Sequence, residues 1–233
     1  MDMPVIRAPR STAHLIDGPA GCLDVREEVP AEDAGVAVAV VCHPHPLYQG
    51  TMDNKVVHTL ARACTQLGVP AIRFNFRGVG RSEGVYAEGE GELADALAVI
   101  DWAGGRWPGR ALWVLGFSFG GVIAARAAMA RQAAKLVTIA PAVTRLNLEL
   151  EDTVPAAWLI VQGEEDDVVP TDEVMGWLNA APPGPLFVGV PGAGHFFHGQ
   201  LNELREHVTE FLAADSDAAG ADGDSPSTGG LTA

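Results

Sequence analysis

The chain has 233 residues, of which 48% are hydrophobic and 19% charged, a composition that supports one packed core and excludes a chain disordered throughout. Its formal net charge is −15, with 15 Lys and Arg against 30 Asp and Glu. Nucleic acid and anionic membranes are therefore not expected as partners, because both are bound through basic residues.

No apolar run of about 18 residues and no signal-peptide segment occurs, so a cytoplasmic location is expected. Cys22, Cys42 and Cys64 are too few and too scattered for a disulfide framework, and none has a C-x-x-C partner. Buried free thiols are the expected state.

Residues 1–10 read as an N-terminal extension, and 11–30 as two antiparallel strands joined by the turn Asp17-Gly18-Pro19-Ala20-Gly21. The continuous apolar run Val36 to Cys42 suits a strand buried on both faces. Helical spacing of Val57, Leu60, Ala61, Cys64 and Leu67 predicts a helix from Asn54 to Leu67, with Gly68 as its stop before a strand Ala71 to Phe76.

The alternation continues with a helix Leu93 to Trp102, a strand Ala111 to Phe117, a helix Gly120 to Arg131 and a strand Leu136 to Ala140. A strand Ala157 to Gln162, a helix Asp172 to Leu178, a strand Leu186 to Val190 and a helix Leu201 to Leu212 complete it. Such alternation predicts an α/β fold: a doubly wound, mostly parallel sheet behind an N-terminal antiparallel hairpin. One domain is expected over 11–213, followed by a disordered acidic tail, 214–233, rich in Ala, Asp, Gly and Ser.

Gly116-Phe117-Ser118-Phe119-Gly120 lies where a predicted apolar strand turns directly into an Ala-rich helix, the context in which a G-x-S-x-G serine acts as a nucleophile. Without such a role, Ser118 would be an ordinary helix N-cap. A serine hydroxyl needs a base to take its proton, and the base needs a carboxylate to orient it.

In chain order these should be serine, acid, histidine. Gly163-Glu164-Glu165-Asp166-Asp167 follows a predicted strand and offers four carboxylates. Gly192-Ala193-Gly194-His195 follows the next strand, so His195 is the expected base. His198 lies about where the last helix begins, where capping or walling the site suits it better.

Three further segments extend the pattern. His43-Pro44-His45-Pro46-Leu47-Tyr48-Gln49-Gly50 follows the third strand, Arg73-Phe74-Asn75-Phe76-Arg77-Gly78-Val79-Gly80 closes the fourth, and Gly194-His195-Phe196-Phe197-His198 precedes the last helix. On these the chain resembles the α/β-hydrolases, specifically the compact lidless bacterial type, over roughly residues 10–213.

The resemblance implies an α/β-hydrolase fold without a lid domain and selects Asp166 as the acid, with Asp167 as the fallback. It implies two backbone donors for an oxyanion: the N–H of Phe119, after the nucleophile, and that of His45, where the family often carries His-Gly-x. Pro44 and Pro46 have no N–H to offer, which leaves Leu47 as the other candidate.

The lid position, residues 141–156, is too short for a helical lid, so an open pocket is expected. Tyr48, Phe196, Phe197 and His198 are its expected lining, with Phe119 at the rim and Phe117 either there or in the core. A small ester or thioester is the expected substrate, hydrolysed without cofactor or metal. His43 and His45, two apart on a Pro-locked turn, should diverge rather than share a metal.

Peptidase and dienelactone-type chemistry are alternatives within the fold, which hosts many reactions. Outside enzymes the alternative is a non-catalytic scaffold. Asn54 and Lys55 are expected to start the helix after the 43–50 loop, and Arg73 and Arg77 to tie loops together. Nothing in the sequence assigns an oligomeric state.

Overall fold

The computed structural model describes residues 8–148, 157–180 and 184–214. The first seven residues and, beyond Ala214, the expected acidic tail lie outside the described residues. Strands β1 (Arg10–Gly18) and β2 (Gly21–Val29) form the expected hairpin. They are followed by β3 (Ala37–Cys42), α1 (Lys55–Gln66), β4 (Ala71–Phe74), α2 (Glu90–Arg106) and β5 (Ala111–Phe117).

Next come α3 (Phe119–Ala130), β6 (Lys135–Ile139), β7 (Trp158–Gly163), α4 (Thr171–Ala180), β8 (Leu186–Val190) and α5 (Leu201–Ala213). The eight strands among the described residues make one sheet in the order β1-β2-β4-β3-β5-β6-β7-β8. The hairpin joins antiparallel to β4, and every pairing from β4 to β8 is parallel.

The alternation of side chains across a strand explains why β3 is apolar throughout. Val38, Val40 and Cys42 face the core that carries α2, α3 and α4, while Ala37, Ala39 and Val41 face the core under α1 and α5. Both faces are dry, so no polar residue is tolerated along it.

Strand β4 ends at Phe74 rather than at the expected Phe76. The N–H of Asn75 donates to the Asp24 carbonyl and that of Phe76 to His43 Nε2 (3.0 Å), so these two groups leave the ladder for other partners. Helix α2 begins earlier than expected because Glu92 accepts the N–H groups of Ala87 and Gly89 at 2.9 and 2.8 Å, satisfying donors at the helix start.

Arg77 clamps the loop after β4 to buried Asp95 of α2 with a bidentate pair, at 2.9 and 2.7 Å. Arg73 joins Glu28 of β2 and the Met52 carbonyl. Both arginines tie loops together, as expected. Asn54 caps α1 by accepting the Val56 N–H at 2.8 Å. The crossover from β6 to β7, residues 140–157, is too short for a lid domain; residues 149–156 of it lie outside the described residues.

Candidate active site

The parallel strands deliver their loops to one edge of the sheet, where open α/β folds assemble ligand sites. Ser118 stands at the turn from β5 into α3 with φ 56° and ψ −118°. A non-glycine residue held at positive φ carries strain of order 1–3 kcal/mol and persists only where its surroundings fix it.

Those surroundings are two glycines. A Cβ on Gly116 would overlap the Gly120 carbonyl, and one on Gly120 would overlap the carbonyl of His43. The strand and helix can therefore meet, and the helix can press against the end of β3, only without side chains at these positions. The Ser118 N–H donates to the Ile139 carbonyl at 2.8 Å, which ties the turn to β6.

His195 arrives on the loop after β8. Its Nε2 lies 3.1 Å from Ser118 Oγ and its Nδ1 lies 2.7 Å from Asp166 Oδ2. Ser118, His195 and Asp166 are all buried. The carboxylate accepts from His195, so Nδ1 carries the proton and Nε2 faces Ser118 as an acceptor.

Asp166 is held from several sides. Oδ1 accepts the N–H groups of Val168 and Val169 at 2.9 and 2.8 Å, and Oδ2 also accepts Gln162 Nε2 at 3.1 Å. Burial pushes the Asp166 carboxyl up, but the hydrogen bonds from His195, Val169 and Val168 outweigh it and hold the group below its ordinary value. It is ionised at neutral pH. Asp167 does not share these contacts.

The 43–50 loop lies beside the start of α3. His43 is fully buried; its Nδ1 lies 2.6 Å from the Pro44 carbonyl and its Nε2 accepts the Phe76 N–H. His45 is half-buried, and its ring centroid lies 4.8 Å from that of Phe119. Neither the Phe119 nor the His45 N–H has a hydrogen-bond acceptor among the described residues. Phe119 is the first residue of α3, where an N–H has no intrahelical partner.

The nitrogens of His43 and His45 all have partners in the protein, so these side chains do not converge on a metal. Among the described residues no group of three His, Cys, Asp or Glu side chains is arranged to hold one.

The expected lining separates into two kinds. Tyr48 is 78% exposed and Phe196 45% exposed, and the Phe196 ring lies 5.0 Å from that of His195. Phe197 is a correction: it is 0% exposed and belongs to the core with Val161, Val190 and Leu204, turned inward at φ 50°. Phe117 and Phe119 are core residues as well. His198 is exposed, 5.9 Å from the Phe196 ring, and the N-cap position of α5 falls to Gln200, so His198 does not cap that helix.

Gln162 and Tyr86 were not singled out from the sequence. A glutamine inside the apolar strand Trp158–Gly163 is the signal for the first, since a buried amide requires partners. A groove of about 1540 Å³ between α1, the 30–34 turn and the start of α5 holds none of Ser118, Asp166 and His195.

Residues 50–155 match the model of the family described as serine aminopeptidase, S33. An α/β serine hydrolase homologue from Coxiella burnetii superposes with a TM-score of 0.81 at 44% identity, covering 87% of this chain and 97% of its own. A lidless member of the α/β serine hydrolases from Xanthomonas campestris superposes at 0.80 with 40% identity, over 87% and 94%. An uncharacterized protein of Rickettsia prowazekii is 32% identical over 206 residues, 84% of this chain and 86% of that protein.

Proposed function

The chain belongs to the α/β-hydrolase superfamily, and from that premise we propose that it is a serine hydrolase cleaving small carboxylic esters or thioesters through an acyl-serine intermediate. The observation that carries the reading is the unbroken chain from Ser118 Oγ through His195 to Asp166, at 3.1 and 2.7 Å. A non-catalytic scaffold would have no need of it.

In the proposed reaction Ser118 Oγ attacks the acyl carbon and gives its proton to His195 Nε2. Asp166 stabilises the imidazolium that forms and stays ionised itself. The Phe119 and His45 N–H groups, which lack acceptors within the described protein, donate to the carbonyl oxygen as it gains negative charge. His195 then protonates the departing alcohol or thiol. A water, deprotonated by His195, attacks the acyl-serine, and the acid leaves with Ser118 restored.

Exposed Tyr48, Phe196 and His198 are the proposed contacts for substrate. With only 18 residues between β6 and β7, the pocket is taken to be open, which suits a short acyl group over a long lipid. The mechanism calls for no cofactor or metal. No described helix is long and apolar enough to cross a membrane, and the proposed place of action is the cytoplasm.

The test is labelling with a fluorophosphonate probe, followed by turnover of p-nitrophenyl esters from acetyl to dodecanoyl beside acyl-thioesters, with Ser118→Ala as control. Labelling lost in Ser118→Ala, with turnover of the short esters, is the expected result. The family description favours one second reading, an aminopeptidase, which aminoacyl anilides in the same assay would expose. Its matched segment contains Ser118 but neither Asp166 nor His195.

A further inference from the structure

His45 contributes more than a backbone N–H. Its Nδ1 accepts the Leu47 N–H at 3.2 Å. An amide N–H can only donate, so in the neutral ring Nδ1 is bare and Nε2 carries the proton. That Nε2–H donates to the Tyr86 hydroxyl at 3.2 Å. Tyr86 belongs to a different loop, between β4 and α2, and its ring stands 4.9 Å from that of His45 and 6.1 Å from that of Phe119.

The direction of the His45 N–H is set by the peptide unit it shares with the Pro44 carbonyl. A trans peptide is planar, and its N–H points opposite to its C=O. His43 Nδ1–H holds that carbonyl at 2.6 Å on the buried side, so the N–H is turned the other way. One end of the unit is anchored by His43. The other end is the Cα of His45, held on one side by its carbonyl, which accepts the N–H groups of Tyr48 and Gly50, and on the other by the His45 ring.

We infer that Tyr86 is a positioning residue for the oxyanion site: its hydroxyl fixes the His45 ring, and through it aims the His45 N–H beside the N-terminus of α3. The inference rests on the serine-hydrolase reading above. Burial lowers the His45 pKa, with Glu92 opposing and Arg145 adding to the effect, so the ring is neutral at pH 7 and the Nε2–H donor is in place. Without the hydroxyl, His45 keeps its bond to Leu47 and its ring contacts, that to residue 86 included, but loses its hydrogen bond to the β4–α2 loop. The donor then fluctuates around its productive position.

Tyr86→Phe removes one oxygen and keeps the ring. The readouts are kcat and KM on a short p-nitrophenyl ester, thermal midpoint, and affinity for a small alkyl boronic acid, whose tetrahedral adduct with Ser118 places an oxygen in the oxyanion site. A donor held less well in position should lower kcat roughly 5-fold, with boronate affinity falling in parallel, KM unchanged, and the thermal midpoint lowered by no more than the few degrees that one hydrogen bond accounts for. His45→Phe, which loses both side-chain bonds, should cost roughly 10-fold or more.

Unchanged kcat and boronate affinity in Tyr86→Phe would overturn the inference. So would a change in KM alone, which marks a substrate contact, or a loss of kcat that disappears when both proteins are assayed well below their thermal midpoints. A wild-type protein that neither turns over esters nor binds the boronate would remove the serine-hydrolase reading as well. Normal wild-type behaviour with an unaffected variant would remove only the role of Tyr86.

Discussion

Lowering the pH from 7.5 to 5 should weaken the fold through His43. The ring is sealed: Nε2 accepts the Phe76 N–H at 3.0 Å, Nδ1–H donates to the Pro44 carbonyl, and the Phe76 ring lies 4.6 Å away. Protonation would aim one N–H at another. Burial accordingly lowers the pKa from 6.5 to about 4, outweighing the hydrogen bond to Pro44.

Below pH 6.5 the unfolded chain takes up a proton that the folded chain refuses, so stability is full above that value and declines as pH falls towards 4. At about 1.4 kcal/mol per pKa unit, the loss is about 2 kcal/mol at pH 5 and about 3 kcal/mol by pH 4. Native domains are stable by only about 5–15 kcal/mol. His45 and His58, also lowered by burial, add losses of the same sign.

Urea denaturation at pH 7.5 and 5 measures the total, and His43→Gln isolates the share of His43. The variant should lose about 2 kcal/mol less than wild type over the interval. Should it fail to fold, proton-detected nitrogen NMR of the wild type reads the same quantity, a His43 ring still neutral and protonated only on Nδ1 at pH 5. Equal losses in wild type and variant, or a His43 ring already charged at pH 5.5, would refute the reasoning.

Ser118→Gly should be more stable than Ser118→Ala by about 1 kcal/mol, because glycine adopts φ 56° without strain; paired thermal melts decide it. Asp166→Asn should cut kcat by about 10⁴, since an amide can leave His195 in the wrong tautomer, whereas Asp167→Asn should stay within a few-fold; a reversed order in steady-state rates would move the acid to Asp167. Gly120→Ala should destabilise by about 3 kcal/mol or more, because its Cβ meets backbone carbonyls of Cys42 and His43 that cannot rotate away; urea midpoints test this. Phe196→Ala should raise KM with little effect on kcat, measured on short esters.

The strand and helix order was legible because burial on both faces leaves a plain signature, as the unbroken Ala and Val of β3 illustrate. That Ser118 and His195 meet was legible because glycines lie within three positions of each, at 116 and 120 and at 192 and 194. The residues that escaped act across distance. Phe76 looks like the end of a strand until the His43 ring takes its N–H, and nothing near Tyr86 announces a histidine 41 positions earlier. Phe197 lies in the core while Phe196 is exposed, a difference with no sequence signature because two adjacent aromatics in a loop follow no period.

The 43–50 loop closes on itself. The His45 carbonyl accepts the N–H groups of Tyr48 and Gly50, both at 3.1 Å, and Gly50 lies so close to the Pro44 carbonyl that no Cβ fits between them. Its order is therefore acquired once, as the chain folds, and is not renewed with each substrate. In the proposed reaction the entropy of activation then carries no share for assembling the loop, and warming speeds turnover through the enthalpy of bond making and breaking until the fold itself gives way.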